Sequence, residues 1–135
     1  MLKLIVGLKG SGKTKTIVDM ANAKLAETSG SVVFIEKGTK LIHEVKYQAR
    51  LLDTDEYLID NGEKLYGFVA GNYGSNHDVG DIFIDSALKI CGNDIADFSA
   101  FLDNVIEFTK THPVNFVITS SIAAENLPEQ YKQYV

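Results

Sequence analysis

Eight consecutive residues, Gly7-Leu8-Lys9-Gly10-Ser11-Gly12-Lys13-Thr14, have the types and spacing needed to hold a chain of phosphates. They read G-x-x-x-x-G-K-[ST], and a strand-like apolar run, Leu2-Lys3-Leu4-Ile5-Val6, stands directly before them. After them, Lys15 to Thr28 repeats its apolar residues at helical spacing, which completes the strand–loop–helix setting that gives the motif meaning. Glycine permits backbone conformations that a side chain forbids, so a loop with Gly7, Gly10 and Gly12 can wrap closely around phosphate. The amides of Gly10, Gly12, Lys13 and Thr14 would point at phosphate oxygens, with Ser11 in the turn and the positive end of a helix beyond. Lys13 would neutralise the β- and γ-phosphates, and the Thr14 hydroxyl would ligate Mg²⁺. Lys9 and Lys15 flank the loop and raise its positive potential.

Further candidates stand at the ends of other apolar runs. Asp85 closes Asp81-Ile82-Phe83-Ile84. A strand-end carboxylate suits Mg²⁺, a hard cation that keeps most of its waters, if Thr14 lies beside it. Glu36 closes Ser31-Val32-Val33-Phe34-Ile35, where a carboxylate could take a proton from an attacking water. Thr119 and Ser120 close Asn115-Phe116-Val117-Ile118. Asp53, Asp55 and Glu56 form an acidic cluster with no evident purpose. His43, His77 and His112 have no metal-ligand spacing, and Cys91 has no partner histidine pattern, so neither zinc nor a cysteine nucleophile is expected.

These residues need elements to position them. Helices are expected over Lys13 to Glu27, with Ile17, Val18, Ala21 and Leu25 on one face, and over Glu63 to Tyr73. The clearest amphipathic helix is capped by Asn93 or Asp94, carries Ile95, Phe98, Phe101, Leu102, Val105 and Ile106, and stops at His112-Pro113. Gly30 reads as the stop of the first helix, Lys40–Lys46 as a short helix, and Ala49–Thr54 as an edge strand. The segment Ser86–Gly92 reads as a loop, and Leu127-Pro128 starts a last helical turn over Glu129–Tyr134. Strands alternating with helices predict one α/β domain over residues 1–135, a three-layer parallel sheet of about five strands with helices on both faces. Ligands of such sheets sit beyond the carboxyl ends of the strands, where the glycine loop, Glu36, Asp85 and Thr119/Ser120 would meet.

On these motifs the chain resembles the P-loop NTPases, in particular their RecA- and FtsK-like additional-strand branch. It is also similar to short uncharacterised bacterial P-loop ATP-binding proteins. The resemblance is carried by residues 2–28, more weakly by 81–85 and 115–120, and it is absent from 37–80. It implies ATP and Mg²⁺ as ligands, Lys13 and Asp85 as catalytic residues, and Thr14 and Asp85 as metal ligands. It also implies a sensor role for Thr119 or Ser120. Many members of that branch place a glutamate after the strand-end aspartate, and this chain has Ser86 there. Glu36 then stands where RecA-like enzymes keep the base.

Composition narrows the reading. The net charge is −5, which gives no electrostatic case for nucleic acid or an anionic membrane. No stretch is long enough to span a bilayer and no secretory leader is evident, and a lone cysteine fits a reducing, cytoplasmic setting. Twelve lysines accompany a single arginine, Arg50. Arginine is the usual bidentate phosphate clamp and the usual finger in phosphoryl transfer, so a fast self-contained site is not expected. The expectation is a slow Mg-dependent ATPase that couples nucleotide state to conformation or assembly, its site completed by a second copy or a protein partner. Arg50 reads as a surface residue of the edge strand, with a finger given in trans as its alternative role. The alternatives are a small-molecule or nucleoside kinase using Asp53 or Asp55 as base, and a nucleotide-sensing module without turnover.

Overall fold

The computed structural model describes residues 1–135 as an α/β domain around a five-stranded sheet. The strands are β1 (Leu2–Gly7), β2 (Ser31–Glu36), β3 (Arg50–Asp53), β4 (Val79–Ile84) and β5 (Asn115–Ser121). They lie in the order β1-β5-β4-β2-β3, every pair parallel, which places all their carboxyl ends along one edge. The helices are α1 (Lys13–Glu27), α2 (Gly62–Ser75), α3 (Ala87–Ile90) and α4 (Ile95–Thr109), followed by two short 3₁₀ segments, Ala124–Asn126 and Glu129–Tyr134. No helix is long and apolar enough to cross a membrane.

Alternation along the strands divides the core between two faces. Val32 and Phe34 of β2, Phe83 of β4 and Val117 of β5 turn toward Ile17, Val18 and Ala21 of α1. Val33, Ile35, Ile82, Ile84, Phe116 and Ile118 turn the other way, toward Leu65 and Val69 of α2 and Phe98, Phe101, Leu102 and Val105 of α4. The strands therefore read as continuous apolar runs because both of their faces are covered. From the edge strand β1, α1 passes over β5 and β4 to reach β2, so the glycine loop opens beside the ends of the central strands.

Local chemistry sets the helix ends. The Asn61 side chain accepts the Lys64 amide at 2.8 Å, and Asp94 accepts those of Ala96 and Asp97. The Asn61-Gly62 pair is thus the start of a helix. Gly62 is also the close-approach point of α2 to α4, since a Cβ there would lie 2.9 Å from the Asp97 carbonyl. Gly30 is not a helix cap. Helix α1 ends at Glu27, and Gly30 instead lets the chain pass the Asp78 carbonyl, which a Cβ would meet at 2.8 Å.

Three further expectations are corrected. Residues 40–46 form turns without a regular helix, with Leu41 and Val45 buried against the α1 face. Ser86–Gly92 contains the single turn α3. Ile95, assigned to the buried stripe of α4, is 39% exposed because it is the first residue of the helix.

Candidate functional site

The carboxyl ends of β1, β2, β4 and β5 open into a cleft of about 670 Å³. Its only hydrophobic lining residues are Leu41 and Leu88; the rest is polar, charged or glycine. The glycine loop forms one wall. Gly10 and Gly12 adopt φ of 88° and 86°, left-handed conformations that glycine holds without strain. Gly7 is fixed by proximity, because a Cβ there would lie 2.7 Å from Ser11 Oγ. The amides of Gly10, Gly12, Lys13, Thr14 and Lys15 donate to no other group of the protein. They are the free donors of a loop and a helix start, with no acidic residue in the first turn of α1 to compete for them. Lys13 Nζ bonds to the Leu8 carbonyl at 2.9 Å and Ser11 Oγ at 3.3 Å. Lys9 and Lys15 also line the cleft, and Lys15 forms an exposed pair with Asp19.

The sheet brings Asp85 to Thr14. The Thr14 hydroxyl lies 3.2 Å from both Asp85 carboxylate oxygens, joining residues 71 positions apart. Behind Asp85, the Thr119 hydroxyl donates to Oδ1 at 2.8 Å and accepts the Ser86 amide at 2.8 Å. Ser86 itself is held at φ 60°, left-handed for a residue with a side chain. Backbone strain of this kind persists where the surroundings enforce it, and here Thr119 contributes to that. A hydroxyl beside an oriented carboxylate fits a small, hard, oxygen-seeking cation. No cluster of three or more His, Cys, Asp or Glu is present, so such a cation would take its remaining ligands from waters and a bound phosphate.

Glu36 also lines the cleft and is only 4% exposed. Burial pushes its carboxyl above the usual range, with smaller contributions from the negative charges of Asp85 and Asp53. Hydrogen bonds from the Leu41 and Lys40 amides act in the opposite direction, the former reaching Oε2 at 3.1 Å. A carboxylate whose proton affinity is raised in this way is better suited to accept a proton than an exposed one.

Other expected residues are placed elsewhere. Thr119 and Ser120 are each 1% exposed and neither lines the cleft, whereas Ser121 does. Thr119 faces Asp85, and Ser120 Oγ donates to the Thr119 carbonyl. Arg50 begins β3, at the sheet edge away from the cleft, and is exposed. Asp53 accepts the amides of Gly38 and Asp55 at 2.8 Å, and Asp55 pairs with Lys37. His77 and His112 pack against the Tyr73 ring. Cys91 is buried with its thiol pushed up to about 12, chiefly by desolvation, so it is no nucleophile.

Sequence reasoning missed Lys37, Lys40, Lys89 and Asn93 as cleft residues. One signal was available. Lys40 and Lys89 each follow a strand-end acid, Glu36 and Asp85, by four positions. Compared with models of known protein families and with curated proteins, the chain matches none.

Proposed function

We propose that the cleft binds a magnesium–nucleoside triphosphate complex, with ATP as its ligand, and that the protein is a slow Mg-dependent ATPase. The observation that carries this reading is the Thr14–Asp85 contact at 3.2 Å, made at the start of the helix that follows the glycine loop. Five free amides supply phosphate donors at the same place. Strand β5 lies between the loop strand β1 and the Asp85 strand β4, the arrangement that the resemblance to the additional-strand P-loop NTPases calls for.

Charge supports the same ligand. Six lysines line the cleft against two carboxylates, Glu36 and Asp85. Lys15 and Lys37 are paired with Asp19 and Asp55, neither of which lines the cleft. The four other lysines less two acids leave a modest positive surplus in a chain of net charge −5. A magnesium-bound triphosphate retains a small negative charge, opposite in sign to that surplus and similar in size.

In this reading the loop amides and Lys13 would hold the phosphates, and Thr14 and Asp85 would hold Mg²⁺, whose chemistry there would be to neutralise phosphate charge. Glu36 accepts a proton from a water as its oxygen bonds to the γ-phosphorus. The bond from that phosphorus to the β–γ bridging oxygen breaks, leaving ADP and phosphate. Positioning and electrostatics supply most of such a barrier reduction, and the only arginine lies at the far sheet edge, which is why turnover is slow.

A second reading, nucleotide sensing without turnover, draws on one observation: an oxygen of Glu36 is already engaged by the Leu41 amide. The kinase alternative has less to stand on, since Asp53 and Asp55 are engaged in a loop turn and an ion pair. Phosphate release and nucleotide binding measured together on Glu36→Gln separate the first two. The ATPase reading expects binding retained and release lost. Wild-type protein that binds Mg·ATP and releases no phosphate would establish the sensor.

A further inference from the structure

We infer that Lys40 and Lys89 form a cationic clamp on the terminal phosphate of the bound nucleotide, in the role that an arginine fills elsewhere. The inference rests on the nucleotide-binding reading above and adds the residues that recognise the third phosphate.

Four observations converge. No arginine lines the cleft, since Arg50 starts β3 at the opposite, amino-terminal edge of the sheet. Lys40 and Lys89 both line the cleft, on the segments that leave β2 and β4 immediately after Glu36 and Asp85. They therefore stand at the metal and proton-transfer end of the site. Neither has a carboxylate within 4.0 Å, whereas the cleft lysines Lys15 and Lys37 are bonded to Asp19 and Asp55.

The fourth observation is that each lysine is mounted on a fixed support. Leu41, beside Lys40, is 8% exposed, and its amide is bonded to Glu36. Leu88, beside Lys89, is 6% exposed, and its carbonyl accepts the Asn93 amide at 2.8 Å. The one-turn helix that carries Lys89 is bounded by left-handed Ser86 and Gly92. An ammonium on a flexible stem acts on phosphate as a point charge, so placing its backbone determines where that charge can reach. With Lys13 on the loop side and these two on the others, three cations surround the charge that develops on the γ-phosphoryl group.

The test compares Mg·ADP with a Mg-bound non-hydrolysable ATP analogue in calorimetric titrations of the wild type, Lys40→Ala, Lys89→Ala and the double variant. Lys110→Ala, at the C-terminal cap of α4 and away from the cleft, controls for net charge. The clamp predicts unchanged ADP affinity and a loss of analogue affinity of about fivefold to tenfold per lysine, a discounted figure for partly solvated charge-assisted bonds. Lys89→Arg should restore discrimination between the two nucleotides. Equal losses for ADP and the analogue, or no loss beyond that of Lys110→Ala, would overturn the clamp. Wild-type protein that binds neither nucleotide would instead overturn the reading on which it rests.

Discussion

Thr119 shows how much of the site depends on residues that do not line the cleft. Its buried hydroxyl holds Asp85 Oδ1 and the Ser86 amide together. Thr119→Val removes a donor to a carboxylate and an acceptor for an amide, at a cost of about 1–3 kcal/mol. Denaturant unfolding should show that loss, and the Mg²⁺ concentration for half-maximal nucleotide binding should rise more than metal-free affinity falls. Glu36 gives a prediction with a pH sign. Its folded carboxyl titrates above the unfolded one, chiefly through burial, so the native state binds more protons across that window. Stability then falls as pH rises from the unfolded value through the raised one. Glu36→Gln keeps an acceptor for Leu41 and removes the buried charge, so it should be the more stable protein at neutral pH, with that pH dependence gone. Unfolding curves collected from pH 4 to pH 8 would reveal it; parallel wild-type and variant profiles would contradict it.

At the scale of elements, much of the architecture was legible because two periodicities speak plainly. The apolar runs Val32–Ile35 and Ile82–Ile84 can only be strands covered on both faces, and α4 carries its aromatic stripe at helical spacing. The glycine loop was legible because its chemistry is local. What stayed hidden depends on distant partners. In sequence Gly30 reads as a helix stop and Asn61-Gly62 as a turn, yet each glycine serves an approach to backbone 48 and 35 positions away, at Asp78 and Asp97. Thr119 was noticed, but its partner Asp85 lies 34 positions earlier, at the end of the preceding strand, so its role as a holder of that carboxylate was unreadable. Lys40 and Lys89 come together only because the sheet sets the segments after β2 and β4 around one cleft. Gly62→Ala should therefore destabilise the protein by about 1–3 kcal/mol through overpacking against α4, a loss visible in thermal unfolding. Thr54 is the opposite case: its hydroxyl is buried without a hydrogen-bond partner. Thr54→Val should be neutral or stabilising, because it removes a polar atom that nothing satisfies.

Across the whole molecule, the weight of the core and the place of the chemistry are separated. The larger apolar cluster, 26 buried residues against 10, lies on the α2/α4 face, while the glycine loop feeds α1 on the other. The cleft edge is thus supported by a core that contains none of its charged groups. Nucleotide binding should add to this stability by mass action, about 2.7 kcal/mol at a ligand concentration one hundred times Kd. In the proposed function the Gly7–Thr14 loop holds the phosphates of Mg·ATP, with Lys13 as its principal charge. The most direct measurement is the melting temperature of wild type and Lys13→Ala with and without saturating Mg·ATP. A clear upward shift is expected in the wild type and none in Lys13→Ala, with the two unliganded proteins melting close together, since the hydrogen bonds of Lys13 to Leu8 and Ser11 are solvent-exposed. An equal shift in both proteins would contradict it.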